Sequence, residues 1–320
     1  MREMVIKKND AGQRLDKFIT KSLPSMPVSL MYKAIRTKKI KVNRKRATQN
    51  QILSEGDTLQ LFVSEEFFDA GGSDASSLSR ISPGLSIVYE DENIMLVNKR
   101  PGVLVHDDKA GNENTLITHI KAYLYQKGEY DPDAEQSFAP ALCNRIDRNT
   151  GGIVIAAKNA SSLRTINEKI KKGEISKFYL CVVHGVPTEK EGTLHAYLIK
   201  NSADNTVKVF DKKPKDSAAK EIITKYRVLS EKNGLALLEI ELVTGRTHQI
   251  RAHMAHVGHP LLGDGKYGVN REDRKDGYRH QALYAYKLRF DFGEEKSELD
   301  YLKGRQFELD LREIPFANDF

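Results

Sequence analysis

The stretch Asn144-Arg145-Ile146-Asp147-Arg148-Asn149-Thr150-Gly151-Gly152 sets one carboxylate between two arginines, just ahead of the apolar run Ile153-Val154-Ile155-Ala156-Ala157. Flanking positive charge keeps such an Asp ionised, and the glycines offer pliable backbone beside it, which suits a nucleophile or base meeting an anionic substrate. An Asp before Asn-Thr-Gly-Gly is also an ordinary turn former. Other segments must decide between the two.

A second polar stretch runs from Val243 to Asp264 and includes Gly245-Arg246-Thr247-His248-Gln249-Ile250-Arg251-Ala252-His253. A strand ends there in Thr-Gly, Thr247 is placed to cap a helix, and Ile250, Met254 and Val257 form that helix's apolar stripe. Arg251 shares a side with His248, and the small Ala255 one turn on leaves room for a partner. Histidines 248, 253, 256 and 259 raise the question of a metal. No Cys or acid accompanies them at zinc-like spacing, and no His-Glu-x-x-His is present. Glycine-rich phosphate loops and a Gly-x-Ser-x-Gly elbow are also absent, so the expectation is an activity with no metal and no cofactor.

The elements that must carry these segments are legible as periodicity. Residues 13–63 read as a small module. Leu15, Phe18, Ile19 and Leu23 recur at helical spacing, Ser29 is placed to cap a second helix, Ile40 and Val42 alternate as a strand, and Leu59, Leu61 and Val63 form another. Residues 69–84 are rich in Gly and Ser and predict a flexible linker. Beyond it, strands are expected at 87–89 and 94–97 across a polar turn, and at 153–157, 178–183, 221–229 and 235–243, with helices near 115–126, 160–172 and 247–257. Strands this closely spaced imply an α+β fold, a mixed and mostly antiparallel sheet with flanking helices, plus the small N-terminal α/β module. The expected division is 1–64 for the module, 65–84 for the linker and 85–320 for the larger domain.

Charge points to the partner of the N-terminal module. The chain of 320 residues carries a net +7, yet residues 1–63 hold 14 Lys plus Arg against 5 Asp plus Glu, a net of +9 that leaves −2 for the rest. Lys33, Arg36, Lys38, Lys39, Lys41, Arg44, Lys45 and Arg46 fall within fourteen residues without an acid. That density can track a phosphate backbone, although lysine-rich faces also serve simply as solvated surface. The apolar runs are far shorter than the roughly 20 residues of a membrane helix, and the start lacks the apolar core of a signal peptide. Cys143 and Cys181 are too few and too far apart for a disulfide framework. A cytoplasmic protein is expected.

The order helix, helix, strand, turn, strand, with Arg14-Leu15-Asp16, Lys41-Val42-Asn43 and Glu55-Gly56-Asp57, resembles the RNA-binding module first described in ribosomal small-subunit protein S-four. The two polar segments above, together with Lys177-Phe178-Tyr179-Leu180-Cys181-Val182-Val183-His184-Gly185, resemble the RluA-type family of pseudouridine synthases. Two departures stand out: Asn144 replaces that family's usual His, and Gly151 its usual Ser. The likeness spans about 85 to 290.

The resemblance implies isomerisation of uridine to pseudouridine: cleaving the bond from C1′ to N1, turning the uracil and joining its C5 to C1′. It implies Asp147 as the essential carboxylate, Arg251 as the cation that keeps it ionised, and Tyr179 as the ring against the target base. Whether the carboxylate attacks sugar or base, or removes a sugar proton, stays open. The target must be flipped out of its stack; the resemblance puts Arg145 in the vacated place, while Arg148, Arg246 and His248 are candidate backbone contacts whose alternative is solvated surface charge. Lys33, Arg36, Lys38, Lys39, Arg44 and Lys45 are expected to bind RNA in the module. The expected substrate is large-subunit (23S) ribosomal RNA or an assembling large subunit, met by a monomer. The alternatives are the same reaction on transfer RNA and a noncatalytic ribosome-assembly factor; a glycoside hydrolase would want a second carboxylate.

Overall fold

Apolar spacing in the first sixty residues closes a core of its own. The computed structural model describes residues 1–68, 74–106, 114–201, 203–268 and 270–320. In its N-terminal part, β1 (Arg2–Val5), α1 (Leu15–Ser22), α2 (Val28–Arg36), β2 (Ile40–Val42), β3 (Lys45–Arg46) and β4 (Thr58–Leu61) build an antiparallel sheet of order β1-β4-β2-β3 under two helices. Leu15, Phe18, Ile19, Met31, Ile35, Ile40, Val42, Leu59 and Leu61 are buried together there. Strand β1 is not among the expected elements: of its four residues only Met4 packs against the core, and the strand is an edge beside β4. Helix α2 starts at Val28 behind Pro27, so Ser29 lies inside the first turn and does not cap it.

Asn43 and Arg44 both have positive φ, 51° and 63°, the two-residue primed turn whose twist suits a tight hairpin. The Asn43 side chain donates to Asp57 Oδ1 at 2.7 Å and accepts from the Thr58 N–H at 2.9 Å, so the two short motifs noted in the sequence meet and hold this basic turn. Lys33, Arg36, Lys38, Lys39, Arg44 and Lys45 are all exposed, and no salt bridge engages them among the described residues.

The stretch 65–84, read as linker, is only partly so. Helix α3 (Asp74–Ser79) buries Leu78 in the larger core, with Ile81 and Leu85 packed beside it. A helix of Ser and Ala with one large apolar residue has almost no periodic signal, which is why it reads as linker. Residues 69–73 lie outside the described residues.

The remaining elements are β5 (Ile87–Glu90), β6 (Ile94–Lys99), α4 (Leu116–Gln126), β7 (Ala141–Leu142), β8 (Gly151–Ala157), α5 (Ala160–Lys171), β9 (Ile175–His184), β10 (Glu191–Asn201), β11 (Thr206–Phe210), β12 (Lys220–Lys232), β13 (Leu235–Leu242), α6 (Gln249–His256), α7 (Arg271–Lys275), β14 (Leu283–Phe290) and β15 (Gln306–Glu308). The strands form an 11-stranded sheet of order β11-β10-β12-β13-β9-β14-β8-β6-β5, with β15 on β14 and β7 on β8. Among the described residues, every pairing in it is antiparallel except β14 with β8. This is the mixed, mostly antiparallel α+β architecture expected from the spacing.

Alternation along the central strands buries both faces. Val154 and Ala156 with Tyr179, Cys181 and Val183 point to one side, which α4 and α6 cover through Ile120, Leu124, Ile250 and Met254. Ile153, Ile155, Leu180 and Val182 point to the other, which α5 and the C-terminal residues Leu299, Leu302, Leu309, Ile314 and Phe316 cover. The tail therefore completes a core.

The N-terminal part meets the larger one along a polar seam. Lys7 Nζ donates to the Ala134 carbonyl at 2.6 Å, Asn9 to Glu135 at 3.0 Å, Ser137 to Asp10 Oδ1 at 2.6 Å and Arg164 to the Ala11 carbonyl at 3.1 Å. Four buried side-chain atoms among the described residues have no partner, Asp10 Oδ2, Gln13 Oε1, Glu135 Oε2 and Gln136 Oε1, and all four belong to residues of this seam.

Candidate active site

The Asp147 turn leads into two glycines with no room for side chains against β14. A Cβ on Gly151 would lie 2.2 Å from the Tyr284 ring, and one on Gly152, at φ +118°, would lie 2.1 Å from the Ala285 carbonyl oxygen. Only glycines let the parallel strand β14 pack against β8 here. The Gly151 departure thus has a packing partner, since the Tyr284 ring occupies the space a serine would need, with its hydroxyl donating to Asn98 Oδ1 at 2.9 Å. Asn144 has a place as well: its Oδ1 accepts the Ile155 N–H at 2.8 Å.

Just upstream of these glycines, the Asp147 carbonyl accepts the Thr150 N–H at 3.0 Å. Lys99, at the end of β6, lies under the same loop. Its ammonium donates to the carbonyls of Arg100, Val103 and Arg148 at 3.1, 2.9 and 2.9 Å, tying two loops together. Burial lowers its pKa to about 8 against the opposing pull of the Asp147 charge, which leaves it mostly protonated at pH 7.

Helix α6 delivers the arginine. Its start is fixed by Gln249, whose Oε1 accepts from Thr244 Oγ1 and the Arg246 N–H, and whose Nε2 donates to the Ile223 carbonyl and Thr224 Oγ1. Thr247 does not cap the helix; His248 holds the N-cap in the left-handed region, at φ 52° and ψ 21°. The stripe is shorter than expected, with Ile250 and Met254 buried and Val257 exposed.

Arg251, with 9% of its side chain exposed, bridges two acids. Nη1 donates to Asp147 Oδ2 at 3.0 Å, while Nε and Nη2 form a fork on Asp264 at 2.7 and 2.9 Å. The Asp264 side chain is fully buried. Burial works to raise its pKa, but the Arg251 hydrogen bonds and charge, with the N–H groups of Lys266 and Tyr267, outweigh it and hold it below the usual range. Burial likewise opposes the charge on Arg251, and Asp264 reverses that and raises its pKa. The sequence pattern gave Asp264 no role; an acid thirteen residues after a buried arginine was the available signal.

Tyr179, on β9, lies in register with Ala285, which in turn pairs with Gly152, so one row across three strands links the tyrosine to the Asp147 loop. Burial and the Asp147 charge both raise its pKa, so its phenol stays protonated. Its hydroxyl has no hydrogen bond to the protein among the described residues, nor is it among the buried atoms left unpartnered. The same holds for Asp147 Oδ1, on a side chain 28% exposed. Asp147 Oδ1 is thus an unpaired oxygen on a part-exposed side chain, whereas Tyr179 is 5% exposed and belongs to the core wall beside it.

Arg145 is exposed and has no protein partner among the described residues. Arg148 is exposed, with Nε donating to the Gly102 carbonyl at 3.1 Å, and Arg246 is exposed. His248 differs from these three, because its side chain, 7% exposed, turns inward to Asp147. The other histidines diverge: His253 to Thr224, His256 to Asp211 and His259 to the His184 carbonyl.

The RNA pseudouridylate synthase family model matches residues 93–256, and the S4 domain model matches residues 13–59. The chain belongs to the RNA pseudouridylate synthase family. It is 30% identical to the ribosomal large subunit pseudouridine synthase C of Vibrio vulnificus, over 93% of this chain and 91% of that protein. It is 32% identical to an uncharacterised RNA pseudouridine synthase of Mycoplasma genitalium, over 90% and 88%. Among solved structures, human RNA pseudouridylate synthase domain containing 4 superposes with a TM-score of 0.56 at 21% identity, covering 77% of this chain and 94% of that one, a likeness of fold.

As an RNA pseudouridine synthase the protein is an isomerase acting on RNA. The site suits such a substrate: an open carboxylate, a protonated phenol and an exposed arginine lie on one loop and strand system, with buried counter-charge behind them. No helix among the described residues is long and apolar enough to cross a membrane.

Burial depresses His253 to a pKa of about 4 from 6.5, with the nearby His256 and His195 adding to the effect. A depressed folded-state pKa means that the unfolded chain binds the extra proton first as pH falls. Stability is therefore full above 6.5 and is lost as pH drops towards 4, by up to roughly 3 kcal/mol from this group. Urea unfolding between pH 7 and 4 should show that decline, and His253→Gln should flatten it.

Proposed function

We propose that this synthase isomerises specific uridines of large-subunit ribosomal RNA, with Asp147 as the catalytic carboxylate, and that it does so as a cytoplasmic monomer. The carrying observation is the Asp147–Arg251–Asp264 chain, buried at Arg251 and Asp264 and open at Asp147. It keeps Asp147 beside a cation that already has its own counter-ion, and it leaves Oδ1 open. The substrate class rests on relatives named for the large ribosomal subunit that align over about nine-tenths of both chains.

Tyr179 would lie against the flipped base and Arg145 would fill the place it leaves, with Arg148 and Arg246 on neighbouring phosphates. Residues 1–64 would act as an RNA anchor joined through part of 65–84 to a catalytic domain at 85–320; their separate cores support this division. The noncatalytic reading loses its motive, since Asn144 and Gly151 both fit their surroundings without displacing Asp147.

Base-resolved mapping of pseudouridine in RNA from cells lacking the protein tests the substrate. Sites should vanish from large-subunit RNA and persist in transfer RNA; the reverse pattern would contradict the assignment. The anchor has its own test. Replacing Lys38, Lys39, Arg44 and Lys45 together by Gln should weaken RNA binding at low salt and reduce the slope of log K against log salt by about 0.7–0.9 for each phosphate no longer neutralised. Filter binding across a salt series reads this, and an unchanged slope would count against the anchor.

A further inference from the structure

His248 occupies a left-handed backbone conformation that a non-glycine residue adopts at a cost, at φ 52° and ψ 21°. What the conformation achieves is to turn the imidazole inward. Its Nδ1 lies 2.8 Å from the Tyr267 hydroxyl, the two rings meet edge to face with centroids 5.7 Å apart, and Nε2 lies 3.8 Å from Asp147 Oδ2.

The contacts around Tyr267 favour an imidazole that accepts at Nδ1. The Tyr267 oxygen accepts the Val207 N–H at 2.9 Å, and the one acceptor its own proton has among the described residues is His248 Nδ1. A neutral imidazole that accepts at Nδ1 carries its hydrogen on Nε2, aimed at the carboxylate. Burial keeps it neutral by lowering its pKa, with Arg251 and Lys266 acting in the same direction and Asp147 and Asp264 against it. Tyr267 is itself held, because its N–H donates to Asp264 at 3.2 Å and the Arg251 guanidinium lies 5.3 Å from its ring centroid.

We propose that His248 is a positioning residue for the isomerisation: its Nε2–H shares Asp147 Oδ2 with Arg251, so that Oδ1 is the oxygen presented to the target nucleotide, and Tyr267 sets the tautomer that makes this possible. The inference rests on Asp147 being the catalytic carboxylate. A separation of 3.8 Å is longer than a hydrogen bond, and a small rotation of either side chain closes it, as reacting groups tighten around substrate. His248 then has no phosphate to contact; its task is to restrain a carboxylate that one hydrogen bond alone would leave free to swing.

The test compares wild type, His248→Ala, His248→Gln, Tyr267→Phe and Asp147→Asn in single-turnover isomerisation of 5-tritiated-uridine large-subunit RNA, with RNA dissociation constants and thermal melts for each. His248→Ala should slow the step on the order of 10- to 100-fold, the usual size for removing an orienting partner behind a reacting group, with unchanged RNA affinity. His248→Gln, whose amide N–H reaches the Nε2 position, should recover most of that rate. Tyr267→Phe should slow the step and shift the acid limb of the pH–rate profile upward, since the hydroxyl proton no longer competes for Nδ1 and only burial, Arg251 and Lys266 are left to oppose protonation there.

Weaker RNA binding by His248→Ala with an unchanged saturated rate would overturn the proposal in favour of a backbone contact. A Gln variant as slow as the Ala variant, with both melting early, would overturn it in favour of simple packing. An inactive Asp147→Asn alongside fully active His248 variants would sink this inference alone, whereas an active Asp147→Asn would sink the catalytic reading beneath it.

Discussion

Asp147→Asn is expected to abolish isomerisation, by roughly 10⁴-fold or more, while leaving fold and RNA affinity near wild type. The structure makes this an unusually clean substitution. Arg251 keeps its two-bonded partner Asp264, so no buried charge is stranded, and the asparagine oxygen can still accept from Nη1. What disappears is the negative charge at Oδ1, the oxygen with no protein partner among the described residues. Single-turnover rates measure the effect, and filter binding checks that affinity holds. A variant that turns over at the wild-type rate would remove Asp147 from the chemistry.

Asp264→Ala should do the opposite kind of damage. Its carboxylate is fully buried and takes two hydrogen bonds from Arg251 and two from backbone N–H groups. Removing it leaves a buried guanidinium with only Asp147 for company, a change that typically costs about 3–5 kcal/mol. The fold should lose several degrees of melting temperature, and the remaining activity should fall because Arg251 is free to turn fully onto Asp147 and occupy both oxygens. Asp264→Asn, which keeps shape and one acceptor, should be milder on both counts. Chemical denaturation and the tritium assay read the two effects separately; an Ala variant as stable as wild type would show that the pair is not the support it looks to be.

Much of the frame could be read from spacing alone. The helices near 115–126 and 160–172 appear within a residue or two, because Ile117, Ile120 and Leu124 or Leu163, Ile166 and Ile170 repeat at helical intervals and Thr115 and Asn159 cap them. The central strands were plain as apolar runs buried on both faces. What escaped was what depends on distant partners. Strand β1 has no apolar pattern of its own and exists because β4 offers an edge. Helix α3 is hidden in Gly and Ser and is held by packing against the core around Leu78.

The candidate site divides the same way. The resemblance drew Asp147, Tyr179 and Arg251 into one account, and the structure brings Asp147 and Arg251 to 3.0 Å. Asp264 and Lys99 were visible as letters but not as partners, since burial and pairing across the fold decide their roles. His248 read as one more basic contact for RNA. A positive φ and a hydroxyl nineteen residues away turn it inward, and neither is written in local pattern.

The central claim is that Asp147 isomerises uridines in large-subunit ribosomal RNA. Its most direct measurement is tritium release from unmodified 5-tritiated-uridine large-subunit RNA by the wild-type protein and by Asp147→Asn, with transfer RNA in parallel. The account predicts release from the ribosomal RNA by wild type only. Release by the Asn variant, or from transfer RNA alone, would contradict it.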